Sequence, residues 1–397
     1  MNVLRLLRNI LSWKKKKVPE TLNISRLNIN DPTPFALHSG EGSPGKDHLN
    51  TWVPIFQKAG VKFCIITRTE KLFAYAKKAF PSVPVVFAKG HKDLEKVFIC
   101  LGSLRIIFYL SNTANAALPV RFNQYTHAFL GHGDSEKTPS AHKAFRMYDE
   151  IWAAGQAHID RFQNAGFAVG HLAFVKIGRP MLKKIHDMMD TRPWQERFPH
   201  PTLCYLPTWE GAGEEQNYSS LPLAKSILAS MCGKYPELSC AIKVHPVTSS
   251  RNSKFKTYEK ELIALKKKFE KRLTVHSKTI PMNNLLLTAN MFLCDVSSVI
   301  TDCLLLDAPI FVYMKPQTQQ ASSSMPLDTF AYTFSDEDEL MFKADKVLQG
   351  DDYLAPGRIR AREYYLGLSH IENDDFIRIL REKAGTAWEK RTMLQEI

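Results

Sequence analysis

No apolar run in this 397-residue chain reaches the ~18–20 residues that a helix needs to cross a bilayer. The apolar stretch at its start is not followed by a small-residue cleavage site, so it does not read as a signal peptide. A protein that stays on the cytoplasmic side is the expectation. None of the seven cysteines, Cys64, Cys100, Cys204, Cys232, Cys240, Cys294 and Cys303, forms a C-x-x-C pair. Several sit inside apolar runs, which suits reduced, buried thiols and excludes a disulfide framework or a zinc site. Walker P-loop, H-E-x-x-H and G-x-S-x-G motifs are missing, so nothing points to those chemistries. The one D-x-D, Asp336-Glu337-Asp338, lies in a polar stretch and follows no apolar strand. It reads as a solvated loop, and neither a metal nor a cofactor is expected. With no helix-turn-helix, zinc-finger or RNA-binding signature, nucleic acid is not an expected partner.

What is present is an ordinary globular composition, 44% hydrophobic and 23% charged, in a chain long enough for two domains. The net charge is +13, with Arg5, Arg8 and Lys14 to Lys17 concentrated near the start. That excess points to an anionic partner. Val3, Leu4, Leu7, Ile10 and Leu11 recur at helical spacing, broadened by Leu6 and Trp13, and the four lysines follow. Such a segment, residues 1–17, has the form of an interfacial helix on an anionic membrane surface. A helix packed on the protein's own body, with a solvated lysine run, is the alternative.

From about residue 50, short apolar runs alternate with helical stretches. Residues 61–66, 83–87, 105–110, 127–131, 150–154 and 175–178 read as buried strands, and 71–79 and 158–165 as helices between them. A polar stretch with Pro193 and Pro199 follows. The pattern then restarts, with strands expected at 202–207, 241–244, 291–294 and 309–313, and helices at 221–231, 258–271 and 299–306. The expected division is a Rossmann-like unit over 18–188, a second over 189–372 and a helical tail over 373–397. Strand–helix alternation implies an α/β protein with two doubly wound parallel sheets facing across a cleft.

Three segments carry the residue types that chemistry needs. In Gly131-His132-Gly133-Asp134-Ser135-Glu136-Lys137, a histidine between glycines follows an apolar strand, where open sheets place their ligands. His132 suits a general base near neutral pH, with Asp134 or Glu136 to orient it and Lys137 to meet a phosphate. In Lys243-Val244-His245-Pro246, His245 ends another buried strand, and Pro246 stops that strand continuing. Two such histidines, one in each half, suit a division of labour: one takes a proton from an acceptor hydroxyl, the other bonds a departing diphosphate. In Asp295-Val296-Ser297-Ser298-Val299-Ile300-Thr301-Asp302, the serines fall at a helix N-terminus, where an anion or ordinary N-capping fits equally well. Pro207-Thr208-Trp209 and Gly178-Arg179-Pro180 are weaker signals. Thr208 offers a hydroxyl at a strand end, and Arg179 offers a bidentate phosphate contact.

In this order these segments resemble the CDP-glycerol glycerophosphotransferase family, which includes teichoic-acid primases and polymerases and their capsule relatives. The H-G-x-x-x-K of His132 to Lys137, the turn at Gly178, the P-T-W, the K-x-H-P and the D-x-S-S-x-x-x-D of Asp295 to Asp302 carry the resemblance. It implies a GT-B fold, a CDP-glycerol or CDP-ribitol donor, and peripheral attachment to the inner face of the membrane. It also implies a lipid-linked or polymeric glycan acceptor and catalysis without an obligatory tightly bound metal. His132, Asp134 and His245 are then the expected catalytic residues. Lys137, Arg179, Thr208, Asp295, Ser297, Ser298 and Asp302 are expected at the donor. Another nucleotide-sugar transferase on the same fold, or a non-catalytic membrane-associated module, are the competing expectations. Asp134 and Ser135 stand where the family commonly has a small residue and proline, and Val296 where it often has tyrosine.

Overall fold

The computed structural model describes residues 24–25, 32–42, 44–131, 141–211, 213–214, 217–315 and 325–395, the last with side chains to residue 386. The N-terminal basic segment and the stretch His132 to Lys137 lie outside these residues. The first sheet holds β1 (Ile24–Ser25), β2 (Phe35–Ser39), β3 (Phe63–Thr67), β4 (Val85–Phe87), β5 (Ile106–Tyr109), β6 (Thr126–Phe129), β7 (Glu150–Ala153) and β8 (Ala173–Lys176). Their order is β1-β4-β3-β2-β5-β6-β7-β8. All pairs are parallel except β1 with β4. β2 is flanked by β3 and β5, so the winding direction reverses there. The helices α1 (Pro44–Ala59), α2 (Glu70–Ala79), α3 (His91–Cys100) and α4 (Gln156–Asn164) connect these strands.

After the linker helix α5 (Lys183–Met188) comes a second sheet of β9 (Thr202–Leu206), β10 (Ser239–Ile242), β11 (Leu273–Val275), β12 (Met291–Asp295), β13 (Ile310–Tyr313) and β14 (Tyr332–Phe334). Its order is β11-β10-β9-β12-β13-β14 and every pair is parallel. The helices α6 (Ala224–Lys234), α7 (Phe255–Lys268), α8 (Asn283–Leu286), α9 (Val299–Leu304), α10 (Glu337–Leu348) and α11 (Ala355–Leu366) accompany it. Parallel strands buried on both faces need near-continuous apolar sequence. β12 (MFLCD) and β13 (IFVY) are buried at every position. All seven cysteines are free and buried.

The chain then returns to where it began. After α12 (Leu368–Glu372), α13 (Asp375–Gln395) lies against α1. Phe376 packs between Trp52, Phe56 and Trp152 at ring-centroid distances of 5.4, 5.6 and 5.6 Å. Ile377 and Leu380 join the same core. The crossing is tight. A Cβ on Gly155 would sit 2.4 Å from the Tyr364 carbonyl oxygen, and Gly178, at φ +65°, lies against Ile371. Only glycine gives the backbone both that approach and that φ without strain.

Several elements differ from the sequence expectation. β2 and the start of α1 precede residue 50 and fall outside the expected elements, as do β11 and β14. Asp336-Glu337-Asp338 is not a solvated loop. Asp336 caps α10, its Oδ1 accepting from Glu339 N at 2.9 Å, and the next two acids occupy the first turn, where the helix dipole favours them. No helix among the described residues is long and apolar enough to cross a membrane.

Candidate active site

Three adjacent strands of the second sheet, β10, β9 and β12, end at one edge, and the loops after them are tied together by buried carboxylates. Asp295 closes β12 and is fully buried. Its Oδ2 accepts from Thr208 N at 2.7 Å and its Oδ1 from Ser220 N at 3.1 Å. The segment after β9 is therefore pinned by its backbone, and Ser219 Oγ donates to Thr208 O at 2.8 Å. Glu210, two residues on and equally buried, holds the loop after β10. Its Oε1 accepts from Arg251 N at 2.8 Å and Asn252 N at 3.1 Å, and its Oε2 from Ser249 N at 3.0 Å. Burial opposes ionisation of Glu210, but these N–H donors outweigh it and hold its pKa below the ordinary 4.5.

His245 lies on the clamped loop. Its Nδ1 accepts from Val247 N at 3.3 Å, and its ring stacks on Trp209 with centroids 6.4 Å apart. Beside it, Lys243 is 8% exposed with no carboxylate partner among the described residues. Burial lowers its pKa from 10.5. Ser298 precedes α9 and its carbonyl accepts from Thr301 Oγ1 at 2.7 Å. Ser297 Oγ is buried without a hydrogen-bond partner. α9 has only six residues, so its dipole is weak, and the hydroxyls and the histidine are the groups of this edge with the chemistry to meet an anion.

Arg179 and Asp302 meet each other. Arg179 Nη2 lies 2.5 Å from Asp302 Oδ1 in a pair whose side chains are 6% and 12% exposed. Burial raises the Asp302 carboxyl above its ordinary 3.8, and the guanidinium opposes that shift. The pair joins the turn after β8 to α9 and borders a cavity of about 930 Å³ between α1, the linker and α12–α13. His158, nearby in the first sheet's half, is held neutral by burial and by the charge of Arg179, its pKa pushed down to about 4.

On the first sheet, Gly131 follows β6 at φ +69°, and its carbonyl accepts from Trp52 Nε1 at 2.7 Å. His132, Asp134 and Lys137 come directly after it, outside the described residues. Of the sequence-based candidates, Thr208, His245, Asp295, Ser297 and Ser298 share one edge of the second sheet, while Arg179 and Asp302 pair with each other. The sequence reading passed over Glu210 and Lys243 as ligand or anchor, although both stand beside residues it named. It had no signal for Ser219 and Ser220, which sit in a loop of no recognisable pattern.

This architecture has counterparts. A wall teichoic acid polymerase, TagF, aligns at a TM-score of 0.57 and 12% identity, over 97% of this chain and 97% of that one. The S. aureus MnaA structure with UDP aligns at 0.57 and 11%, over 86% and 94%. Anabaena Alr3699/HepE, in complex with UDP and glucose, aligns at 0.55 and 11%, over 88% and 100%. These likenesses show the shared GT-B fold. No curated protein sequence matches the chain. The family described as CDP-Glycerol:Poly(glycerophosphate) glycerophosphotransferase matches residues 127–365, a span from β6 to α11 that takes in every loop just described. The chain belongs to that family, and it is a transferase.

Proposed function

We propose that this transferase moves glycerol phosphate, or a similar polyol phosphate, from a CDP-polyol donor to a membrane-associated glycan acceptor in teichoic-acid or capsule synthesis. The observation that carries the reading is the edge formed by His245, Trp209, Ser297 and Lys243. It offers hydrogen-bond donors, a ring to stack on and a buried positive charge, which is what a nucleotide diphosphate requires. The acceptor hydroxyl oxygen attacks the phosphorus that bears the polyol. A new P–O bond forms, the bond to the bridging oxygen of the diphosphate breaks, and CMP departs. The hydroxyl proton passes to His132, while His245 and the serine hydroxyls hydrogen-bond the departing phosphate. Residues 1–17 hold the enzyme at the inner face of the membrane, where a lipid-linked acceptor is found.

The test is donor choice. Purified protein is incubated with CDP-glycerol, CDP-ribitol and a panel of UDP-sugars, with an acceptor extract, and nucleotide release is followed by mass spectrometry. CMP release that depends on acceptor is the expected result. UDP or UMP release from a sugar nucleotide, with none from either CDP-polyol, would replace this reading with that of a sugar transferase.

A further inference from the structure

Buried polar side-chain atoms without a partner are rare in folded proteins, and each calls for an explanation such as a bound water or ion. Among the described residues six such atoms gather at one place away from the edge above. His38 Nε2, Ser39 Oγ, Arg68 Nε, Arg68 Nη1, Ser111 Oγ and Thr113 Oγ1 all lack a hydrogen bond. His38 and Ser39 end β2, Arg68 follows β3, and Ser111 and Thr113 follow β5. These are the carboxyl ends of β2 and its two neighbours, where the winding of the first sheet reverses. Open α/β sheets bind their ligands in that crevice.

The local geometry is built around a positive charge. Arg68, 6% exposed, donates from Nη2 to Lys89 O at 2.6 Å, which leaves most of its five N–H donors. It is close enough to His38 for its charge to add to burial in lowering that imidazole to a pKa of about 3, so His38 is neutral. Asp93, whose charge acts on Arg68, has its Oδ2 accepting from Gly90 N at 2.9 Å, and Glu41 pairs with His48 at 2.8 Å. Asp47, in the first turn of α1, points to solvent as an exposed residue. The backbone comes close on the other side. A Cβ on Gly40 would lie 3.1 Å from Thr113 Oγ1, and one on Gly45 would lie 2.7 Å from Ser39 Oγ. Gly45 stands in the first turn of α1, so the amino end of a 16-residue helix overlies the serine hydroxyl.

We infer that this crevice, built from Arg68, His38, Ser39, Ser111 and Thr113, is an anion site that takes a phosphate group of the acceptor. A cation with spare donors, neutral hydroxyls and a helix amino end are the groups that phosphate recognition uses. The acceptor, rather than the donor, is its source because the crevice lies on the first sheet, while the nucleotide-binding groups lie on the second. The inference rests on the polyol-phosphate transferase reading for the identity of the ligand, and not for the existence of the site.

The experiment has two arms. In the first, inorganic phosphate and glycerol phosphate are titrated onto the full chain by calorimetry, with CDP present to fill the donor side. Saturable binding is expected. Arg68→Gln should weaken it more than tenfold, Ser39→Ala and Thr113→Val by a few-fold each, and Arg68→Lys should restore part of the loss. Thermal melting of each variant confirms the fold. No saturable binding by the wild type, or equal binding by a folded Arg68→Gln, overturns the site whatever the enzyme's reaction proves to be. In the second arm, steady-state kinetics are compared between a phosphate-bearing acceptor and a phosphate-free analogue. The expected result for Arg68→Gln is a raised KM for the first acceptor alone, with donor KM unchanged. A rise in donor KM instead would assign the phosphate to the donor and overturn the acceptor assignment.

Discussion

Asp295 and Glu210 bind backbone N–H groups, and those bonds fix the surface on which His245, Trp209 and Thr208 stand. The pH dependence follows from the sign of the shift. The folded-state pKa of Glu210 lies below the ordinary 4.5, so its stabilisation is complete above that value and disappears as pH falls through the folded-state pKa. In denaturant unfolding, the stability gap between wild type and Glu210→Gln should be constant from neutral pH down to about 5 and shrink as pH falls below the ordinary carboxyl range. A gap unaffected by acid would mean that the charge does not hold the loop. The Arg179–Asp302 pair makes a different prediction. Removing one partner strands a buried charge, so Arg179→Met or Asp302→Leu alone should cost ~3–5 kcal/mol. The double variant should cost less than either, and simple additivity in a guanidinium unfolding cycle would contradict the pairing. His132→Ala should lower kcat by ~10²–10⁴ in the transfer assay with donor binding largely kept. Near-wild-type turnover would remove it as the base.

Among the elements, the carboxyl-terminal helix ties the molecule together. Phe376 fills the space between Trp52, Phe56 and Trp152, so Phe376→Ala should cost ~3–5 kcal/mol. The loss should appear in the fluorescence-monitored unfolding transition that Trp52 and Trp152 report. A cost under 1 kcal/mol would mean that α13 is not part of that core. The sequence made this helix legible as a mixed-charge tail but not its destination, because apolar residues scattered through a charged helix do not say what they meet. The turn at Gly178 was legible only through the family resemblance, and its positive φ gives the physical reason for a glycine there. The strand Phe35–Ser39 was not. Two of its five residues, His38 and Ser39, are polar yet buried at 2% and 0% exposure, and prolines and glycines crowd both sides of it. Its helix was hidden by Pro44 and by Pro54 in its interior. Asp336 misled for a simpler reason: cap and loop use the same short polar residues. The segments at the second sheet's edge were the easiest to place, because each lies at or just after the end of a strand with an apolar run, LCYL, CAI or MFLC.

For the whole molecule, the sequence gives a charge of +13, with a basic, apolar-striped segment at residues 1–17. Removing it should leave thermal stability unchanged and abolish cosedimentation with anionic vesicles. Transfer to a lipid-linked acceptor should slow far more than transfer to a short soluble analogue, because surface attachment raises effective concentration. Added salt should imitate part of the truncation, since screening acts over ~8–10 Å on the lysines and not on the apolar stripe. Undiminished vesicle binding by the truncated chain would move the anchor elsewhere, with the basic surface around Lys254 to Arg272 next to be tested.

The return of α13 to the first sheet also sets an order of events during synthesis. Domains commonly fold as they emerge from the ribosome, the amino-terminal one first. Here the amino-terminal core is not completed first. The strands from β2 to β8 are made early, but the core beneath Trp52 and Trp152 lacks Phe376, Ile377 and Leu380 until translation is almost over. The second core also draws on late residues, Tyr365, Leu366 and Ile371, so both halves close only when α11 to α13 have been made. A chain lacking residues 376–397 should keep a protease-resistant second half beside a protease-sensitive first one.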